Sequence, residues 1–231
     1  MLHLIKLELK KGKLSKFIWG GFLAYGIIAL LLLPIYLVEG PIEEAPVFVS
    51  YSEMFGLIDT LIRATFIIYA SAMVASLIIS EFRDKTMSVL FAYPISRKKL
   101  IWSKLSIVFV WAVVNIILAN VLISGIIIAF NSHFQYIDDV ITTELLLKQG
   151  AFILTNAFAS AGMSLLPLAI GMIKKSGTAT ILSSIFIVMV VCSNNMGFTL
   201  SSIIAIPISL GLLGLLLTYL SFRKIDRVDV A

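Results

Sequence analysis

Long apolar runs separated by short polar breaks set the layout of this chain. The first run covers residues 17–38 and stops at Glu39-Gly40-Pro41; others cover 57–80, 105–130 and 150–173. The stretch from Ser176 to Phe222 holds two more, over 176–193 and 199–222, with a turn at Ser193-Asn194-Asn195, its one polar cluster. A crossing takes roughly 20 apolar residues, and in lipid a helix satisfies its own backbone. The pattern therefore predicts an all-α, polytopic membrane protein with six transmembrane helices in a single transmembrane domain over 1–231. The fifth run has a short strictly apolar part, which also fits a re-entrant segment.

Composition agrees with the pattern. Of 231 residues, 60% are hydrophobic and 13% charged, and the mean hydropathy is +1.05. An average globular domain is about 45–50% apolar and about 25% charged. So few charges exclude a soluble enzyme, a disulfide scaffold or a disordered chain. The amino terminus is basic and then apolar, but the apolar run is too long for a cleavable signal core and no small-x-small site follows it, so it reads as an uncleaved anchor.

Charge sets the predicted orientation, because Lys and Arg of short loops stay cytoplasmic. Lys6, Lys10, Lys11, Lys13 and Lys16 precede the first run, and Arg83, Lys85, Arg97, Lys98, Lys99 and Lys104 lie between the second and third. Lys174 and Lys175 follow the fourth, and Arg223, Lys224 and Arg227 follow the last, which places sixteen of the eighteen basic residues on one side. The opposite loops hold Lys148 against Glu39, Glu43, Glu44, Glu53, Asp138, Asp139 and Glu144. Both termini are expected in the cytoplasm. The net charge of +5 is a bias toward anionic lipid headgroups, not a sign of nucleic-acid binding.

Catalytic chemistry is scarce. His3 and His133 fall on opposite sides of the predicted membrane, so they cannot share a metal, and lone Cys192 implies no disulfide or metal site. Gly162-Met163-Ser164 faintly resembles an intramembrane serine nucleophile, yet no histidine reaches it, and Ala157, Ala159, Ala161 and Gly162 suit close helix packing. Gly12-Lys13 lacks the glycine spacing and preceding strand of a phosphate-binding loop. Asp59 and Arg63, four residues apart, are expected to form an intramembrane ion pair near the outer end of the second span. Asn115, Asn120 and Asn156 read either as interhelical hydrogen-bonding groups or as the lining of a substrate path.

The loop from Glu81 to Leu100 is the most informative segment. Phe82, Met87, Leu90 and Phe91 lie close to one helical face, with Arg83, Asp84 and Lys85 free to meet water. Pro94 ends that short helix, and Ser96 can cap the next. Glu81-Phe82-Arg83-Asp84-Lys85-Thr86, then Pro94-Ile95-Ser96-Arg97 and the later Lys104, resembles the signature of type-2 ATP-binding-cassette transporter permeases. In those an acidic residue ends span two, a threonine follows within a turn or two, and a Pro-x-Ser-Arg segment leads into span three. Lys85 stands where the family usually has Gly, and Leu105-Ser106 replaces a small-residue patch. The overall layout is similar to that of short bacterial permeases of peptide-antibiotic resistance, bacteriocin immunity and peptide export.

The resemblance implies a membrane subunit of the bacterial cell membrane that is not itself an enzyme and holds no metal or cofactor. Two cytoplasmic ATPase subunits would bind ATP and Mg, and a second permease subunit, identical or related, would complete the path. Residues 81–98 would be the coupling segment, with Glu81, Phe82, Arg83, Thr86, Leu90, Pro94, Ser96 and Arg97 meeting the ATPase. Residues 1–16, with Leu2, Ile5 and Leu9 on one side and Lys6, Lys10 and Lys13 largely on another, would form an interfacial helix on membrane lipid. The cargo expected is an amphipathic or hydrophobic peptide or lipid-like compound moved outward. An immunity or sensor subunit without transport, and an ion-coupled secondary transporter, are the rival readings.

Overall fold

The structure, a computed structural model, describes residues 13–39, 50–84, 97–137, 139–192, 194–195, 198–199 and 205–223. These form eight α-helices: α1 Lys13–Glu39, α2 Tyr51–Val74, α3 Ser80–Arg83, α4 Arg97–Phe134, α5 Thr143–Met163, α6 Leu166–Lys174, α7 Gly177–Val191 and α8 Ala205–Phe222. One π-helical turn, Ala75–Ile79, joins α2 to α3 without a break. A two-residue antiparallel ladder, Asn194–Asn195 (β1) against Phe198–Thr199 (β2), reverses the chain between α7 and α8. The expected reversal falls there, with Asn194 and Asn195 forming β1.

Among the described residues, five stretches are long and apolar enough to cross a membrane: Lys16–Val38, Tyr51–Arg83, Lys98–Phe134, Thr143–Lys174 and Ala205–Phe222. The expected sixth, over 176–193, is the 15-residue helix α7. At 1.5 Å per residue it reaches only about 22 Å, short of a hydrocarbon core of about 30 Å. By length, five crossings are supported among the described residues, and the expected sixth is present as a shorter apolar helix. Lys175, with φ 46°, is the reason α7 starts where it does: the left-handed cap lets Ser176 N donate to Gly171 O at 3.2 Å. Ser176 Oγ then accepts from Ala179 N at 3.4 Å and opens α7. The second span also begins earlier than the apolar run, at Tyr51, because Ser50 caps Glu53 N at 3.3 Å.

α2 is the hub of the bundle. It packs on α1, α4, α5 and α7, and 67% of its spanning window is buried, against 28% for that of α1 or α8. Ile58, Ile62, Phe66, Ala70 and Met73 repeat at helical spacing and are fully buried. The tightest contact is between α5 and α8. A Cβ on Gly162 would lie 2.5 Å from Gly211 O, and one on Gly214 would overlap Gly162 O. With no hydrophobic driving force between helices in lipid, such close approach through small residues is what holds them together. Ser164 belongs to the same packing: its Oγ donates to Ala161 O, and its carbonyl accepts from Ser71 Oγ at 3.1 Å.

Candidate functional site

The ends of α3 and α4 flank the segment 85–96, and the structure fastens them together just inside the bundle. Lys104 enters from α4 with 1% exposure and donates to Glu81 Oε2 at 2.5 Å and to Leu77 O at 3.1 Å. A π turn shifts the ladder by one residue, which loosens the hold of backbone amides on its carbonyls. Here Ser80 N reaches back five residues to Ala75 O, Ser80 Oγ donates to Ser76 O at 2.5 Å, and Leu77 O accepts from Lys104. Charge and backbone irregularity thus occur at one spot, and a buried ion pair with extra hydrogen bonds is a connection costly to break from one side.

Aromatic contacts continue this end of the bundle. Phe82 stacks on Phe222 of α8 with ring centres 6.4 Å apart, and Trp102 meets Tyr219 at 6.4 Å. Of the expected coupling residues, Glu81 is buried, Phe82 is half-buried against α8, and Arg83 is exposed, its Nε donating to Asp84 Oδ1 at 2.9 Å. Thr86, Leu90, Pro94 and Ser96 lie outside the described residues, as does the interfacial segment before Lys13; Arg97 opens α4. Lys104 belongs to the family signature in the sequence, but its partners are not given there. Its signal was a lysine set inside an apolar helical run, which demands a partner.

A second polar cluster lies deeper. Arg63 Nη2 stands 3.6 Å from Asp59 Oδ2, and both residues are 1% exposed. Asn156 of α5 donates to the same Oδ2 at 3.3 Å, and Asn120 of α4 also faces Asp59. Both side chains are buried between helices. Asp59 is eight residues into α2, about 12 Å along its axis, and three helices converge there. Arg63 Nε and Nη1, Asp59 Oδ1 and Asn120 Oδ1 are buried without partners among the described residues, a group of donors and acceptors that ordered water can bridge.

The three asparagines do not share one lining. Asn115 turns to α1, where its Oδ1 accepts from Tyr25 OH at 2.6 Å, while Asn120 and Asn156 turn to α2. A polar junction that the sequence pattern left unread closes the far end of the bundle. Asn131 accepts from Tyr36 OH at 2.6 Å and from Ile137 N at 3.0 Å, and donates to Tyr51 OH at 2.7 Å and to Ile137 O at 3.1 Å. Among the described residues no cluster of His, Cys, Asp or Glu could hold a metal.

An apolar helical bundle with buried ion pairs and long lipid-facing surfaces defines a multi-pass membrane protein. Comparison with known proteins refines that class: the profile described as "ABC-2 family transporter protein" matches residues 4–193, and the chain belongs to that family of membrane subunits. It is 38% identical over 228 residues to YcbO of Bacillus subtilis (strain 168), itself described as uncharacterized; the match covers 99% of this chain and 100% of that protein. No solved structure matches.

Proposed function

We propose that this chain is the permease half of an ATP-driven exporter in the bacterial cell membrane. Two copies, or this chain and a relative, enclose the path, and two separate cytoplasmic ATPase subunits bind ATP and Mg and dock against residues 81–98. The chain carries six segments in the membrane, α7 being a fifth that enters without the length to cross alone, and both termini are cytoplasmic. The cargo is amphipathic, a peptide or a lipid-like molecule, and it moves outward.

The observation that carries this reading is the Glu81–Lys104 tie beside the π turn. Coupling needs an element whose position both sites bias. A force on the 85–96 segment meets α3 and α4 already joined across it, so it displaces two spans as one body instead of fraying either end. The test is the assembled complex carrying Glu81→Ala or Arg97→Ala, with folding checked by thermal midpoint. Cargo transport and cargo-stimulated ATP hydrolysis are expected to fall while the bare ATPase rate persists. Transport and stimulation both unchanged in folded variants would overturn the assignment.

A further inference from the structure

A cavity of about 420 Å³ opens between the first turns of α2 and α5, away from the coupling end. Phe55 and Gly56 form its α2 wall, and Glu144, Lys148, Gln149 and Phe152 its α5 wall. Its size is that of a small-ligand pocket. Gly56 makes the space: a Cβ there would meet nothing within 4 Å.

The polar groups around it are unspent. Gln149 Nε2 is buried with no hydrogen-bond acceptor. Lys148 is exposed, and no ion pair joins it to Glu144, although the two stand one helical turn apart. The α5 wall therefore offers a carboxylate at its first turn and an ammonium and an amide N–H one turn further in, over two aromatic rings. Both helices start here, so the cavity sits where apolar span gives way to water. Phe152, two turns in from Glu144, carries the cavity's apolar lining toward the interior of the span.

We infer that this cavity binds the headgroup of a zwitterionic phospholipid. The phosphate meets Lys148 and Gln149, the lipid ammonium meets Glu144, and the acyl chains run past Phe152 into the bilayer. A lipid fits the location better than a soluble metabolite, because the site adjoins both water and hydrocarbon. A net-neutral headgroup also matches a rim carrying one charge of each sign. The inference does not depend on ATP coupling.

The test is native mass spectrometry of the full chain in detergent, titrated with dihexanoyl-phosphatidylethanolamine or dihexanoyl-phosphatidylglycerol. One phosphatidylethanolamine per chain is expected, bound more tightly than phosphatidylglycerol. Gly56→Leu fills the cavity and should weaken retention by on the order of tenfold or more, as should Lys148→Met, which removes a charge-assisted contact. Glu144→Gln should erase the preference between the two lipids. Equal retention of both lipids by the wild type, or full retention by Gly56→Leu with an unchanged far-UV spectrum and elution volume, would overturn the site. So would displacement of the lipid by a cationic amphipathic peptide that binds more tightly. Lys148 is exposed, so its variant decides the matter if Gly56→Leu does not fold.

Discussion

The buried Asp59–Arg63 pair should behave as one unit, and a double-mutant cycle can show it. At 3.6 Å and an effective dielectric of about 20, the attraction is about 5 kcal/mol. Desolvating each ion costs several kcal/mol, so the pair as a whole is close to neutral for stability, whereas removing one partner costs about 3–5 kcal/mol. Asp59→Asn strands the guanidinium, which already has two unpaired nitrogens, and Arg63→Met strands the carboxylate. The double variant strands neither. For a chain of this size each kcal/mol moves the thermal midpoint by roughly 2–4 °C. Each single variant should therefore lose roughly 6–20 °C in detergent, and the double variant should recover much of that, with a coupling of about 2 kcal/mol or more. Additivity within about 0.5 kcal/mol, the behaviour of independent sites, would refute the claim that the two charges depend on each other.

Three further outcomes follow from the packing. Gly214→Ala, placed against Gly162 O, should destabilise by about 1–3 kcal/mol through overpacking, whereas Gly125→Ala, with open space around it, should stabilise by up to about 1 kcal/mol; thermal midpoints of the two compare directly. Asn131→Ala removes the centre of a junction of four hydrogen bonds, and at about 0.5–1.5 kcal/mol each should cost roughly 2–6 kcal/mol, with faster amide exchange around Ile137. Lys175→Gly should raise the midpoint, because φ 46° costs a residue bearing a Cβ roughly 1–2 kcal/mol more than glycine.

Which segments enter the bilayer was written in the order of residues. Apolar run length is a local property, and the backbone's need for internal hydrogen bonds turns each run into a helix; the family resemblance, drawn from Glu81 to Arg97 and Lys104, is read from the same linear order, and the family is the one that matches. Charge spacing likewise marked Asp59 with Arg63, since four residues apart on a helix means one face.

Depth, partnership and helix length were decided only by the tertiary structure. Asp59 lies in the interior because Asn120 and Asn156, about 60 and 100 residues further along, are brought to it by α4 and α5. Lys104 finds Glu81 and the Leu77 carbonyl across 23 and 27 residues, and the π turn that presents that carbonyl has no sequence marker. The break between α6 and α7 is made by a left-handed Lys175, a residue that composition would place in any loop. Each of these depends on which helix faces which, and in lipid that choice comes from the fit of glycine against glycine and buried polar group against buried polar group. Residues far apart in the chain must supply both halves of every such fit.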